Sequence, residues 1–346
     1  MATVATSRRY SSRYPHGQHG VVLNSPLGCT SLLGISFDDS ERQTVTTSRD
    51  CVTTETIFGT FHSWSADTFT EQLRRFSAHT RNELAMIRAF TNTGDNLIDI
   101  GAHIGTFSIP FAQFAGRLGK VFAFDAQPDN FRLLQKNITA NDLEDVIYPI
   151  HAVVAEDSQQ QVKMVLPEDA NSGMYYFPPV DKEDAELEIT TVNIDRWYAD
   201  SSDEPVVHWI KVDVEGAEIG VLKSCERLIR KHKPLMYVEV NELALARFGN
   251  SKRDIEKLLT GWGYDLFRNV GLRNSTNDRF ALDRLESFAR TEWFFDVLAV
   301  HSDSLRYPKH WISGLESIAW RSYNRTRSAA GKLTRRVRNR KKPSPR

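Results

Sequence analysis

The chain has 346 residues, 40% of them apolar and 25% charged, close to globular averages, which excludes wholesale disorder. Its 13 prolines and 19 glycines exclude collagen-like and proline-rich architectures. Lys plus Arg and Asp plus Glu each number 44, but 11 basic residues and no acidic one fall between Arg321 and Arg346, so residues 1–320 carry a net charge of −11. An acidic body thus precedes a strongly basic tail. Cys29, Cys51 and Cys225 form no C-x-x-C pair, which excludes a cysteine zinc site and argues against a disulfide framework. A reducing compartment, the cytoplasm, is the expected location. No segment reaches the ~18 apolar residues of a membrane span. The nearest, Val21–Phe37, is interrupted by Asn24, Pro26, Gly28 and Thr30. The same breaks argue against reading Ser7-Arg8-Arg9 as the start of an export signal.

Residues 1–65, rich in Ser, Thr and Gly, read as a loose or accessory region. From 67 to 92, Phe69, Leu73, Phe76, Leu84, Ile87 and Phe90 recur at helical spacing. After the Gly94-Asp95 turn, 96–100 is an apolar strand, 106–115 a helix and 120–125 a second buried strand. Pro128 suits a first helical turn, and Phe131, Leu134 and Ile138 give that helix an apolar face. A third strand spans 146–154, and 156–187 reads as an inserted hairpin or loop. Strands at 206–213, 234–240, 263–268 and 293–300 follow, with helices at 217–232 and after the Ser251–Asp254 capping pattern. Alternating strands and helices predict an α/β domain over 66–304, a mostly parallel sheet covered on both faces, with 305–346 as an extension ending in the basic tail. Ligands of such sheets bind at the carboxyl ends of the strands, near the point where strand order reverses.

The strand ends hold the informative residues. The first closes in Asp99-Ile100-Gly101-Ala102-His103-Ile104-Gly105, two glycines four apart opening a helix. This is neither G-x-G-x-x-G nor a P-loop. Asp125 ends the second strand about twenty residues later, where a carboxylate suits ribose hydroxyls. Glu156-Asp157 follows the third strand, in reach of an adenine amine. The fourth ends in Lys211-Val212-Asp213-Val214-Glu215-Gly216-Ala217-Glu218 and the fifth in Glu239-Val240-Asn241. If strand geometry continues, Asp213 and Glu215 share a face. Glu218 falls in a first helical turn, where the dipole favours an acid and the role is structural.

Glu83–Phe267 resembles the FkbM family of S-adenosylmethionine-dependent methyltransferases. The blocks NLIDIGAHIGTFSIPFA, KVFAFDAQPDNFRLLQKNITAND, TTVNIDRW, WIKVDVEGAEIGVL and KPLMYVEVNE occur in the family's order. The resemblance implies a class I methyltransferase fold, Rossmann-like with a doubly wound seven-stranded sheet, and O-methylation of a sugar, glycan or natural-product hydroxyl. It places Asp99, Gly101, Ala102, His103 and Gly105 around the methionine part of the cofactor, Asp125 at the ribose and Asp157 at the adenine amine. Asp213 is expected to touch cofactor as well as acceptor. The family usually has Asn where His103 stands and Glu where Asp125 stands.

Methyl transfer needs the acceptor oxygen about 3–3.5 Å from the methyl carbon, in line with the leaving sulfur, and a base for the hydroxyl proton. Asp213 and Glu215 are the first candidates for positioning and Glu239 and His103 for the base. The same acids offer oxygen ligands to a hard cation such as Mg²⁺, although no metal is assigned. Asn171–Phe177, with two Tyr and a Phe, is a candidate acceptor platform. The alternatives are a nucleic-acid methyltransferase whose tail grips phosphates, or a non-catalytic cofactor-binding scaffold. No D/N-P-P-Y/F motif follows the fourth strand, and the intact DVEGAE block argues against a scaffold. The tail is otherwise a weak contact with anionic lipid or nucleic acid.

Overall fold

The computed structural model describes residues 50–158, 161–164, 187–201 and 204–311. The candidate platform at Asn171–Phe177, the basic tail and residues 1–49 lie outside them. In chain order the elements are β1 (Cys51–Thr56), β2 (Gly59–Trp64), α1 (Thr68–Phe76), α2 (Arg81–Phe90), β3 (Leu97–Ile100), α3 (Ser108–Ala115), β4 (Val121–Asp125) and α4 (Pro128–Ala140). Next come β5 (Ile147–His151), β6 (Val153–Val154), β7 (Gln161–Met164), β8 (Leu187–Val192), α5 (Ile194–Ala199), β9 (Trp209–Val212), α6 (Glu218–Ser224) and α7 (Glu226–His232). β10 (Leu235–Asn241), α8 (Glu242–Arg247), α9 (Lys252–Gly261), β11 (Tyr264–Asn269), β12 (Leu282–Leu285) and β13 (Phe294–His301) complete the domain.

The central sheet has eight strands in the order β12-β11-β13-β10-β9-β3-β4-β5. The five from β10 to β5 run parallel, while β13 is antiparallel to both β10 and β11. This is the doubly wound class I methyltransferase arrangement, with the order reversing between β3 and β9. It has one strand more than expected, because β12 pairs antiparallel with β11 at the edge.

Period-two alternation sends neighbouring residues to opposite faces. Ile98, Ile100, Ile210, Val212, Met236, Val238 and Val240 build the core on one face. Leu97, Trp209, Leu235 and Tyr237 join α2 and α3 on the other. Burial on both faces accounts for the nearly continuous apolar runs of β3, β9 and β10.

Several sequence expectations need revision. The helical pattern over 67–92 is two helices, separated where Ser77 (φ 57°) and Thr80 (φ 43°) adopt left-handed backbone. The 217–232 helix breaks at Cys225, and the Asp195 carboxylate caps the second half by accepting from Arg227 N and Leu228 N, both at 2.8 Å. The strand drawn over 146–154 bends at Ala152, and β6 leaves the central sheet to pair with β8. The inserted segment is framed as a hairpin by β7 and β8, which pair antiparallel. Part of the region read as loose is a docked hairpin: β1 and β2 pair antiparallel, and Asn137 and Asn141 of α4 bond the main chain of His62 and Thr60. Beyond residue 304, Tyr307 donates to Asp265 at 2.6 Å and Arg306 pairs with Asp95, so the packed domain runs past the boundary drawn from sequence.

Candidate active site

A cavity of about 510 Å³ opens at the carboxyl ends of β3, β4, β9 and β10, astride the reversal of strand order. Gly101, His103, Asp125, Asp213, Glu215 and Glu239 line it; Asp99, Ala102, Gly105 and Asp157 do not. Asp157 is exposed on the bend after β6, next to the cavity wall that Ala152, Val153 and Val154 form. Asp99, Ala102 and Gly105 are buried beside that lining. Gly105 (φ 91°) is held close to α4, where an added Cβ would lie 3.0 Å from Leu134 Cδ1. A Cβ on Gly101 (φ 79°) would meet the Asp213 carbonyl oxygen at 1.8 Å, so β9 as well as a ligand demands glycine there.

Strand register explains the polar row beneath the cavity. Asp99 of β3 is paired with Lys211 of β9, and Lys211 with Tyr237 of β10. Lys211 Nζ lies 3.4 Å from Asp99 Oδ1 and 3.4 Å from Asp213 Oδ2, and donates to the Gly101 carbonyl at 3.0 Å. Burial alone would lower the lysine's pKa, but Asp213 and Asp99 outweigh it and hold the ammonium charged. Asp99, fully buried, also accepts from Ser108 Oγ at 2.6 Å. Lys211 is a functional residue that sequence reasoning missed. The signal was available: a lysine inside a four-residue strand that is buried throughout requires a carboxylate partner.

At the end of β4, Asp125 Oδ2 accepts from His103 N at 2.7 Å and Oδ1 from Gln127 N at 2.9 Å. Burial nevertheless raises its pKa to about 7. The left-handed backbone of His103 (φ 54°) aims that N–H at Asp125. Asn and His are enriched in this conformation, which accounts for a histidine where the FkbM pattern has asparagine. The His103 ring packs against Phe69 at a tilt of 37°, centroids 4.4 Å apart, and burial, opposed by Asp67 and Asp213, lowers its pKa to about 4. It is therefore neutral and weakly basic, which counts against its role as the base. His79, delivered to the cavity by the break between α1 and α2, has its pKa lowered to about 3 by burial and by Arg273.

Across the cavity, Asp213, Glu215 and Glu239 converge, each offering one oxygen within 4.8 Å of the others. They meet by a different route from the one expected: β9 ends at Val212, and a turn with Glu215 in left-handed conformation (φ 53°) brings its side chain round. Burial, then Asp213 and Glu218, raises the Glu215 pKa to about 8. Burial and the neighbouring acids push Glu239 well above the carboxylate range. Glu218 is structural as expected, accepting from Gly216 N at 3.0 Å and Val214 N at 3.3 Å. Arg273, a second missed residue, bridges Glu83 at 2.6 Å and Asp296 at 2.8 Å on the far wall.

Residues 99–266 match the family model described as Methyltransferase FkbM domain. Among solved structures it is similar to methyltransferase FkbM from Methylobacillus flagellatus, at 17% identity and a TM-score of 0.38, over 61% of this chain and 44% of that one. It thus spans less than half of that protein's length. A SAM-dependent methyltransferase from Aquifex aeolicus shares 15% identity over 66% of this chain and 92% of that one, TM-score 0.35. The TYW2 protein of M. jannaschii, solved with AdoMet, shares 14% over 72% and 84%, TM-score 0.35. No curated protein matches the chain. Among the described residues, no helix is long and apolar enough to cross a membrane.

Proposed function

We propose that the chain is an S-adenosylmethionine-dependent O-methyltransferase acting on a hydroxyl of a sugar, glycan or natural product. The observation that carries this reading is one continuous cavity with Asp125 at one side and the Asp213, Glu215 and Glu239 carboxylates at the other. Asp125 has both oxygens oriented by backbone N–H groups, as a ribose diol requires. Ala152, Val153 and Val154 offer an apolar wall for the adenine.

S-adenosylmethionine supplies an electrophilic methyl group when bound. The residues of this chain hold the partners and handle the proton. Lys211 and Asp99 fix the start of the Gly101 turn and the Asp213 carboxylate. Glu215 and Glu239 would orient the acceptor hydroxyl and receive its proton. Glu215, raised to about 8, is better matched to that proton transfer than an ordinary carboxylate.

The cavity disfavours a polyanionic acceptor: Asp125, Asp213, Glu215, Glu239 and Asp296 line it, while Lys211 and Arg273 are committed to ion pairs. A small neutral or cationic acceptor is favoured over nucleic acid. Calorimetric titration with S-adenosylmethionine and a mass-spectrometric screen for a 14-dalton gain on candidate glycans and metabolites test the reading. No cofactor binding, or a gain confined to RNA or DNA, would overturn it.

A further inference from the structure

The carboxylates at the ends of β9 and β10 lack the counter-charge they need. Glu239 is 91% buried, its side chain enters the cavity, and its Oε2 has no hydrogen-bond partner. Its strand neighbour across β13 is a second acid, Asp296. Asp213 and Glu215 are half-buried and reach the same point from the turn after β9. Lys211, the nearest ammonium, is shared between Asp99, Asp213 and the Gly101 carbonyl. Arg273 is held by Glu83 and Asp296, and Arg247 acts on Glu215. A buried carboxylate without a partner is costly, and here it points at two others.

We propose that Asp213, Glu215 and Glu239 form a site for a hard divalent cation of the Mg²⁺, Mn²⁺ or Ca²⁺ class. The three oxygens lie within 4.8 Å of one another. Opposite oxygens stand about 4.8 Å apart on Ca²⁺ at ~2.4 Å and about 4.2 Å apart on Mg²⁺ at ~2.1 Å. The cluster already has the span of such a coordination sphere, and small side-chain rotations close it around the smaller ion. Three carboxylate oxygens fill half or less of the usual six to eight positions. The open positions face the cavity, where water or the acceptor's hydroxyl oxygens complete the shell. Only that last consequence rests on the methyltransferase reading; cation binding itself does not.

The test uses the full chain freed of metal with EDTA and titrated with Mn²⁺, following loss of the free-ion electron paramagnetic resonance signal. One site per chain, with a dissociation constant at or below about 10⁻³ M and displacement by Mg²⁺ or Ca²⁺, is expected. Glu239→Gln should weaken Mn²⁺ at least about tenfold, as should Glu215→Gln, with each variant's fold checked by thermal unfolding. S-adenosylmethionine affinity is measured on the same samples. Absence of Mn²⁺ binding, binding unchanged in both variants, or stabilisation by methylammonium and not by Mn²⁺ would overturn the cation site, while leaving the methyltransferase reading intact if cofactor still binds. Mn²⁺ binding without cofactor binding would do the reverse.

Discussion

Two acidic regions face each other across the cavity, and they are built on opposite principles. Asp125 sits at the end of a regular strand and has a backbone N–H on each oxygen. Glu239 sits at the end of an equally regular strand with no donor for Oε2 and with Asp213 and Glu215 as neighbours. The first is finished before any ligand arrives, and its geometry selects a neutral diol. The second is incomplete and gains most from a positive or proton-donating partner. Under the proposed function, Asp125 is the holding end of the cavity and the β9–β10 end the reacting one. Lys211 lies beneath, tying the Asp99 row to Asp213.

Removing that tie should have the largest effect. Lys211→Met leaves Asp99 fully buried without its ion pair, and breaking a buried pair costs about 3–5 kcal/mol. Chemical denaturation should register that loss. A change under about 1 kcal/mol would show that Ser108 alone satisfies Asp99.

The reacting end should answer next. Glu215→Gln keeps the shape and removes the group that can accept a proton, and turnover should fall by about 10²-fold, close to 3 kcal/mol of barrier. Cofactor affinity should change far less. Near-normal turnover per folded molecule would remove Glu215 from the reacting end.

The holding end should show its own pH signature. With Asp125 raised to about 7 in the empty cavity, it is protonated below that pH and ionised above it. A diol prefers the ionised acceptor, so S-adenosylmethionine affinity should rise with pH and level off above about 7. Asp125→Asn should weaken binding by about tenfold, in line with ~1.5 kcal/mol for a hydrogen bond to a charged group, and flatten the profile. A profile that stays steep in the variant would assign the titration to another group.

The sheet, its parallel centre and the chemistry at the strand ends were legible because β3, β9 and β10 are apolar runs closed by polar residues. The breaks were not. Helical spacing continues across Ser77–Thr80 and across Cys225, and nothing local announces that Asp195, thirty residues earlier, caps the second half of a helix. Asp213, Glu215 and Glu239 were found by residue type and position, whereas Lys211 stood in the same block without an assigned role. Its period-two relation to Asp213, and that of Tyr237 to Glu239, put all four on the face that carries Asp99. That pattern is readable only once the register is known. Asp157 was named by residue type alone; it lies exposed on the bend after β6, beyond the Ala152–Val154 stretch that lines the cavity.

The smallest expected effect concerns His103. A catalytic imidazole and a backbone device predict different outcomes for the same substitutions. The structure favours the second: the ring is packed against Phe69, its pKa is lowered to about 4, and the backbone N–H holds Asp125. His103→Asn keeps a residue that tolerates left-handed backbone, so cofactor affinity and turnover should stay within about threefold, less than ~0.7 kcal/mol. His103→Val places a β-branched side chain at φ 54°, at a strain of about 1–3 kcal/mol, and should lower the melting temperature and weaken cofactor binding together as the N–H leaves Asp125. Turnover in His103→Asn reduced by a hundredfold at saturating cofactor, with normal melting, would instead show that the imidazole itself handles the proton and that the base lies on the Asp125 side of the cavity.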